Sequence, residues 1–248
     1  GAKDRGFGSV KNATKHAKAL TTLLKKLPAG EPAEFPDADD AVAVLVQSLL
    51  LENTTAARAH TAYGRLTSDI VDFNDLRVSM PHEMVERIGV RYPQATDRCQ
   101  RIRSTLRDIF LKEHDVTLER LKSAGKRDVK KFVDDLDGIS PYAAARLLLL
   151  AFDAHAIPVD EQLRKRLVDA GAIDEDATVA EVGAWLSRQV KASDGVATHL
   201  AFQVWVDSPA KTTRTRKPAA RGAKKTTKKT TAKTPRKTGG RKRAADSA

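Results

Sequence analysis

Apolar side chains recur every three or four residues along most of the chain, which is the spacing of one face of an α-helix. Residues 9–27 follow this pattern with basic residues in between, and residues 41–51 are almost all apolar, which predicts a buried central helix. The other stretches with helical periodicity are 53–68, 82–89, 94–114, 117–124, 128–136, 142–152, 160–170, 177–193 and 195–206. No segment keeps up the alternation of a strand. The pattern therefore predicts an all-α fold.

Cap and breaker residues mark where several of these helices begin. An acidic pair that ends at Asp40 precedes the central helix, and the Asn-Thr-Thr sequence at 53–55 can cap the next one. Ser140 followed by Pro141 is the clearest start signal, because serine is a favoured cap and proline suits the first helical position. Residues 69–81 are predicted to be a linker without a helix of their own.

The composition changes abruptly near residue 209. From Pro209 onward there is no Leu, Ile, Val, Met, Phe, Tyr or Trp. A segment with nothing to bury cannot offset the entropy of ordering, so a disordered tail is predicted over 209–248. We divide the chain into an N-terminal helix and linker that pack on the domain (1–38), a helical domain (39–208) and this tail (209–248).

The net positive charge of the chain comes entirely from the tail. Residues 211–248 contain 15 Lys and Arg and one acid, Asp246, whereas the remaining residues carry 29 bases and 31 acids. Such a polycation binds nucleic acid by displacing counterions, and its contacts read no sequence. The densest basic clusters are Lys224, Lys225, Lys228, Lys229, Arg241, Lys242 and Arg243. The alternative is a solubilising or localising tail, in which residues 239–246 would serve as a nuclear import signal.

Several classes of protein are excluded or disfavoured. The single cysteine, Cys99, excludes an internal disulfide framework and a four-cysteine metal or iron–sulfur site. The six histidines lack zinc-ligand spacing, no glycine-rich phosphate loop is present, and we predict neither a metal nor another cofactor. No apolar run is long enough to cross a membrane, and the first residues lack a secretory signal, so we expect a soluble intracellular protein.

Residues 128–152 predict two short helices joined by a tight turn. Gly138 supplies the turn and would let a DNA strand approach closely, and the start of the second helix offers backbone N–H groups that suit a phosphate. The expected contacts to DNA are Gly138, Ile139, Ser140, Pro141, Lys130 and Lys131. Taken alone this signal is weak, because many helical proteins contain such a turn, and the two lysines also fit a solvated helix face.

The sequence around this turn resembles the helix–hairpin–helix (HhH-GPD) DNA glycosylase superfamily, typified by endonuclease III. Residues 136–144 (LDGISPYAA) match its L-P-G-V-G-x-K-T-A pattern, an apolar helix ending in Ala-Phe follows, and residues 157–160 (IPVD) match its V-D motif. Asp160 lies 18 positions after Tyr142, as the family spacing requires. A fainter likeness extends over 40–207. The resemblance implies a two-lobed helical bundle.

The resemblance also implies functional residues. Asp160 takes the place of the essential carboxylate, which stabilises positive charge on the sugar as the base leaves. Its alternative role is an ordinary helix cap. Tyr142 replaces the lysine that forms a Schiff base in bifunctional members, which implies hydrolysis without strand cleavage and a tyrosine that lines the pocket. The residue that fills the gap left by the flipped base maps only loosely, to Glu52 or Asn53.

Three departures from the family pattern weaken the assignment. Asp137 and Ser140 replace a proline and a glycine of the hairpin, and the C-terminal iron–sulfur cluster is missing. Two functions therefore remain open: a monofunctional DNA glycosylase, or an architectural, chromatin-associated DNA-binding protein on the same fold. Either would be a monomer on double-stranded DNA, in the cytoplasm at the nucleoid or in a nucleus. The base, and whether a lysine such as Lys165 supports lyase chemistry, stay open.

Overall fold

The computed structural model describes residues 13–27, 35 and 37–209, and all regular elements in this part of the chain are helical. The helices are α1 (Ala13–Leu24), α2 (Ala41–Leu51), α3 (Ala56–Thr67), α4 (Phe73–Val78), α5 (Pro81–Ile88), α6 (Ala95–Glu113), α7 (Lys126–Asp134), α8 (Pro141–Ala151), α9 (Glu161–Asp169), α10 (Val179–Gln189) and α11 (Gly195–Asp207). Two 3₁₀ turns cover Glu119–Ser123 and Ala192–Asp194. None of the described helices has the length and apolar character needed to cross a membrane.

Two hydrophobic cores define two lobes. The larger lobe comprises α2 to α8. Helix α2 lies at its centre, and every residue of α2 is buried. The smaller lobe comprises α1 and α9 to α11 around a core that includes Leu20, Leu167, Trp185 and Phe202. The all-α, two-lobed architecture that the sequence predicted is thus confirmed. It brings the start of α9 next to the end of α2, and this contact forms the candidate site.

The predicted helix starts agree with the structure where a cap residue precedes a long apolar run. The carboxylate of Asp40 accepts the backbone N–H of Val42 at 2.7 Å, and the hydroxyl of Ser140 accepts that of Ala143 at 3.1 Å. The linker predicted over 69–81 is wrong in part, because it contains α4. That six-residue helix is capped by Asp72 and buries Leu76, and it is too short for periodicity to reveal it. The stretch 117–124 holds only a 3₁₀ turn.

Other predictions fall outside the described residues. They are the start of the first helix at 9–12, residues 28–34 and 36 of the N-terminal linker, and the tail over 210–248 with all its predicted DNA contacts. The domain boundaries at 38/39 and 208/209 stay predictions. Helix α1 contributes Leu20 to the core of the smaller lobe, and the ring nitrogens of His16 lie 3.1 Å from the carbonyl of Gly171 and 3.1 Å from the carboxylate of Asp174.

Arg98 of α6 holds the C-terminal end of α2. Its guanidinium donates to the carbonyl of Leu49 at 2.6 Å and that of Leu50 at 2.9 Å, and it also donates to the carbonyl of Glu52. These are the carbonyl groups that a helix end leaves without an internal partner. A buried side chain therefore fixes the chain immediately before Asn53.

Replacing Arg98 with methionine is expected to lower the free energy of unfolding by about 2–4 kcal/mol, because three carbonyl groups at the end of α2 lose a charged donor that is itself buried. Urea denaturation monitored by circular dichroism measures the change. Arg101→Met is the matched control, since Arg101 only forms an exposed ion pair with Asp97 and should matter by less than about 1 kcal/mol. Equal effects of the two substitutions would refute the anchoring role of Arg98.

Candidate active site

Asp160 is the N-cap of α9 and is only 8 % exposed. Its Oδ1 accepts the backbone N–H of Leu163 at 2.9 Å, and its Oδ2 accepts the backbone N–H of Asn53 at 2.8 Å. Burial raises the pKa of this carboxyl group, and the backbone N–H donors oppose the rise by stabilising the anion. Capping thus uses one oxygen, whereas the other oxygen faces the larger lobe.

Asn53 completes a reciprocal contact between the lobes. It lies just after α2 with φ of 56°, a left-handed conformation that asparagine tolerates better than most residues. Its side-chain Oδ1 accepts the backbone N–H of Glu161 at 3.0 Å, while its own N–H donates to Asp160. A second contact between the lobes joins the backbone N–H of Ala56 to the carboxylate of Asp207 at 2.9 Å. These hydrogen bonds hold the lobes together at the mouth of a cavity.

The cavity lies beside Asp160 and has a volume of about 30 Å³. Its lining includes Asp160, Asp207, Tyr142, His199, Phe202 and Gln203. The volume is close to that of one water molecule, so a base enters only if the lobes or the side chains move apart. The larger lobe supplies Tyr142, and the smaller lobe supplies most of the other walls.

Two polar side chains of α11 enter this cavity without a protein partner. His199 is 3 % exposed and Gln203 is 9 % exposed, and they lie one helical turn apart. Among the described residues, neither the Nε2 of His199 nor the Nε2 of Gln203 has a hydrogen-bond partner. Burial, and to a smaller extent the nearby Arg146, lower the pKa of His199 from 6.5 to about 3, so the ring is neutral at pH 7.

The neutral state of His199 predicts a specific acid sensitivity. The folded protein keeps the ring unprotonated down to about pH 3, whereas the unfolded chain takes up a proton below about pH 6.5. Stability is therefore present above pH 6.5 and is lost as pH falls, by ~1.4 kcal/mol per pH unit. Denaturation between pH 8 and pH 5 should show a shallower loss for His199→Gln than for wild type. His82→Gln, at an exposed position, is the control; parallel curves for His199→Gln and wild type would contradict the assignment.

The turn between α7 and α8 is pinned to α6. The hydroxyl of Thr105 lies 2.8 Å from the carbonyl of Asp137, and the carboxylate of Asp108 accepts the backbone N–H of Asp137 at 3.0 Å. The carboxylate of Asp137 accepts the hydroxyl of Ser104 and so turns back toward α6. Its charge therefore lies on the side of the turn that faces α6.

Gly138 forms the tight turn and also packs closely on α6. Its φ is +77°, as expected for a tight turn, and a Cβ would lie 3.1 Å from the carbonyl oxygen of Arg101 and 3.2 Å from the hydroxyl of Thr105. The missing side chain thus permits close packing on α6, and the close approach of DNA at this glycine stays a prediction. In the described structure, the backbone N–H groups of Gly138 and Ser140 donate to no protein acceptor.

The two lysines before the turn differ in their surroundings. Lys130 pairs with Asp134 one helical turn away, and both side chains are exposed. Lys131 is exposed on the same helix. This arrangement agrees with the alternative of a solvated helix face as well as with contact to phosphate.

An arginine-rich groove lies on the larger lobe between α3 and the end of α5. It has a volume of about 570 Å³, and its lining includes Arg58, Arg65 and Arg91. Val90 also lines the groove, in the loop between α5 and α6, and is 76 % exposed although it is a large apolar residue. None of these residues was predicted from the sequence to contact DNA. Guanidinium groups around an exposed apolar side chain suit a bent or unstacked nucleic acid.

Comparison with known proteins gave matches among solved structures. No family model and no curated protein matches the chain. A trapped endonuclease III–DNA covalent intermediate has a TM-score of 0.59 at 17 % identity and covers 78 % of this chain and 85 % of its own. A thermostable thymine-DNA glycosylase has a TM-score of 0.58 at 16 % identity over 80 % and 90 %. The 3-methyladenine DNA glycosylase of H. pylori, bound to 1,N6-ethenoadenine, has a TM-score of 0.52 at 18 % identity over 79 % and 94 %.

The chain has the endonuclease III-like glycosylase fold. In this glycosylase fold, residues far apart in the sequence meet at one cavity: Asn53 contacts Asp160, and Tyr142 lies in the lining. Glu52 is half-buried at the end of α2, and its carbonyl is held by Arg98. The sequence named these residues but missed His199 and Gln203, whose only signal is a pair of polar residues four apart in an otherwise apolar stretch.

No lysine is among the described residues that line this cavity. Tyr142 is buried, and its pKa is raised, first by burial and then by the charges of Asp160, Glu52 and Asp207, so its hydroxyl stays protonated. Lys165 is exposed on α9 and does not line the cavity. Within the described residues there is also no group of three or more potential metal ligands.

Proposed function

We propose that this protein is a monofunctional DNA glycosylase that hydrolyses the N-glycosidic bond of a damaged or mismatched base. The observation that carries the proposal is Asp160, a buried carboxylate fixed at the edge of a cavity between two lobes with this fold. A tyrosine in place of an amine, and the absence of lysine from the described lining, favour hydrolysis over Schiff-base chemistry.

The chemistry requires little more than an oriented anion. As the bond between the sugar C1′ and the base nitrogen breaks, its electron pair leaves with the base, which takes up a proton, and positive charge develops on the sugar. The carboxylate of Asp160 stabilises that charge and accepts a proton from the water that attacks C1′. Its orientation is set in advance by the N–H group of Leu163, a contact within the start of α9 that remains when the cavity opens.

The closed cavity implies an opening step. The target nucleotide has to leave the duplex before Asp160 can reach its sugar. Because the present cavity matches a single water molecule, the contacts of Asn53 with Asp160 and Glu161 must loosen as the nucleotide enters. Asn53 is then free to face the DNA, which fits the gap-filling position to which the family pattern loosely assigns it.

The DNA surface would combine two features of the larger lobe. The unpaired N–H groups of Gly138 and Ser140 would contact a phosphate at the start of α8. Val90 would insert beside the target base while Arg65 and Arg91 neutralise the backbone. The basic tail would add contacts without sequence preference and keep the protein at chromosomal DNA, at the nucleoid or in a nucleus.

A panel of duplexes tests the proposed activity. Single lesions of uracil, thymine opposite guanine, hypoxanthine, 3-methyladenine and 8-oxoguanine are incubated with excess protein, and abasic sites are revealed by alkali. Base release without strand cleavage before alkali supports the proposal. Strand cleavage before alkali would refute the monofunctional assignment, and release of no base from the panel would refute the glycosylase.

The second candidate is a non-catalytic DNA-binding protein on the same fold. Two observations favour it: the cavity is too small for a base in this state, and the exposed Asp134 and Asp135 come just before the turn that would contact a phosphate. DNA binding that persists without release of any base supports this candidate.

A further inference from the structure

Two buried polar groups in the cavity have no role in the hydrolysis described above. A buried donor or acceptor without a partner destabilises the folded protein, so an apolar side chain would serve a purely structural purpose better. His199 and Gln203 both bear this cost, one helical turn apart, and both line the cavity of Asp160. We propose that His199 and Gln203 recognise the extruded base through an uncharged lactam edge, a ring N–H next to a carbonyl, as in uracil, thymine or hypoxanthine. This inference rests on the proposed function.

The placement of the two side chains suits reading of a base edge. Asp160 enters the cavity from the start of α9, and α11 supplies another wall through His199, Phe202 and Gln203. A nucleotide with its sugar at the carboxylate therefore presents its base to α11. Phe202, which lies between the two polar residues in the sequence, offers an apolar surface for the ring.

The chemistry of the side chains selects the lactam. The primary amide of Gln203 can donate an N–H to the carbonyl oxygen and accept the adjacent ring N–H through its own oxygen, which gives a two-point contact. A neutral imidazole at position 199 adds one further donor or acceptor. Neither group carries a charge that would match a charged base.

The size of the cavity favours a pyrimidine lactam. Its volume is about 30 Å³, so a pyrimidine requires less opening of the cavity than a purine does.

Binding to uncleavable duplexes tests the inference separately from catalysis. A 2′-fluoroarabino nucleotide keeps the glycosidic bond intact, so the Kd of the full chain can be measured for uracil, hypoxanthine and adenine at one position, opposite the same partner base. Adenine has the ring system of hypoxanthine but no ring N–H next to a carbonyl. We expect wild type to bind both lactam duplexes about tenfold or more tighter than the adenine duplex, a difference of ~1.4 kcal/mol. A preference for uracil over hypoxanthine identifies the pyrimidine as the ligand.

Variants of Gln203 decide whether this residue carries the preference. Gln203→Met removes both hydrogen-bonding atoms, and Gln203→Glu keeps the shape while removing the donors; each should abolish most of the tenfold preference. Gln100→Met, on the exposed face of α6, should retain it. An unchanged preference in both folded variants, or equal binding of all three duplexes by wild type, would overturn the inference.

The two proposals fail in different ways. If the protein releases a base and its preference among the duplexes does not depend on Gln203, the glycosylase proposal stands and the proposed recognition of the base is refuted. A lactam preference that depends on Gln203, without release from the corresponding unfluorinated duplexes, would refute the glycosylase and support the binding site alone.

Discussion

Asp160→Asn is expected to reduce base release under single-turnover conditions by about 10²–10³-fold or more, because the charge that stabilises the developing cation on the sugar is lost. The asparagine oxygen can still accept the N–H of Leu163, so the cap of α9 is retained. The affinity for DNA should therefore change little. Release rates on the substrate identified in the duplex panel, together with Kd from fluorescence anisotropy, measure the two effects.

Asp72→Asn is the matched control for this substitution. Asp72 also caps a helix through its carboxylate but lies on the surface of the larger lobe at α4. It should leave the rate of release unchanged. If Asp160→Asn releases the base at the wild-type rate, the carboxylate serves only as a cap and the proposed chemistry is wrong.

Removal of residues 211–248 is expected to have the second largest effect. These residues hold 15 of the 44 basic side chains and a single acid. If about six of the bases contact phosphates, the slope of log affinity against log salt should become shallower by about 5, and affinity at low salt should fall by orders of magnitude. Titrations of an undamaged duplex between 50 and 200 mM salt measure this slope.

A variant that keeps the full length of the tail but removes part of its charge separates the effect of charge from that of chain length. Replacing Lys224, Lys225, Lys228, Lys229, Arg241, Lys242 and Arg243 with glutamine should reproduce roughly half of the effect of the deletion. A salt slope that is the same with and without the tail would mean that the helical domain makes the main phosphate contacts.

Much of the fold could be predicted from the sequence, because long helices can be recognised from their apolar periodicity and their cap residues. The run 41–51 is apolar on all sides, and it becomes the buried α2 with Asp40 as its cap. Ser140 and Pro141 likewise mark the start of α8. The short helix α4 escaped because six residues span fewer than two turns, over which an apolar stripe cannot be recognised.

The candidate site was less predictable, since it depends on contacts between distant residues. Asp160 and Tyr142 could be named from the spacing of a motif, but the hydrogen bond between Asp160 and Asn53 joins residues 107 positions apart. His199 and Gln203 stand out only when their burial and lack of partners are known. The role of Gly138 also required the structure, because the packing of α6 against the hairpin determines it.

The two interpretations of Asp160 that the sequence left open are compatible. One oxygen caps α9, and the other is held toward the larger lobe by the N–H of Asn53. Capping gives the carboxylate a fixed position, and in the proposed mechanism the cavity would give it access to a nucleotide once the lobes open. The cap and the proposed chemistry therefore do not exclude each other.

Affinity for an analogue of the charged sugar tests the central claim most directly, because it needs no knowledge of the base. Duplexes carrying a cationic pyrrolidine or an uncharged tetrahydrofuran in place of the target nucleoside are compared by Kd at one salt concentration. We predict that the full chain binds the cation about tenfold or more tighter, since the pyrrolidine resembles the transition state, and that Asp160→Asn abolishes the difference. Equal affinity of the wild-type protein for the two duplexes would contradict a catalytic carboxylate at position 160.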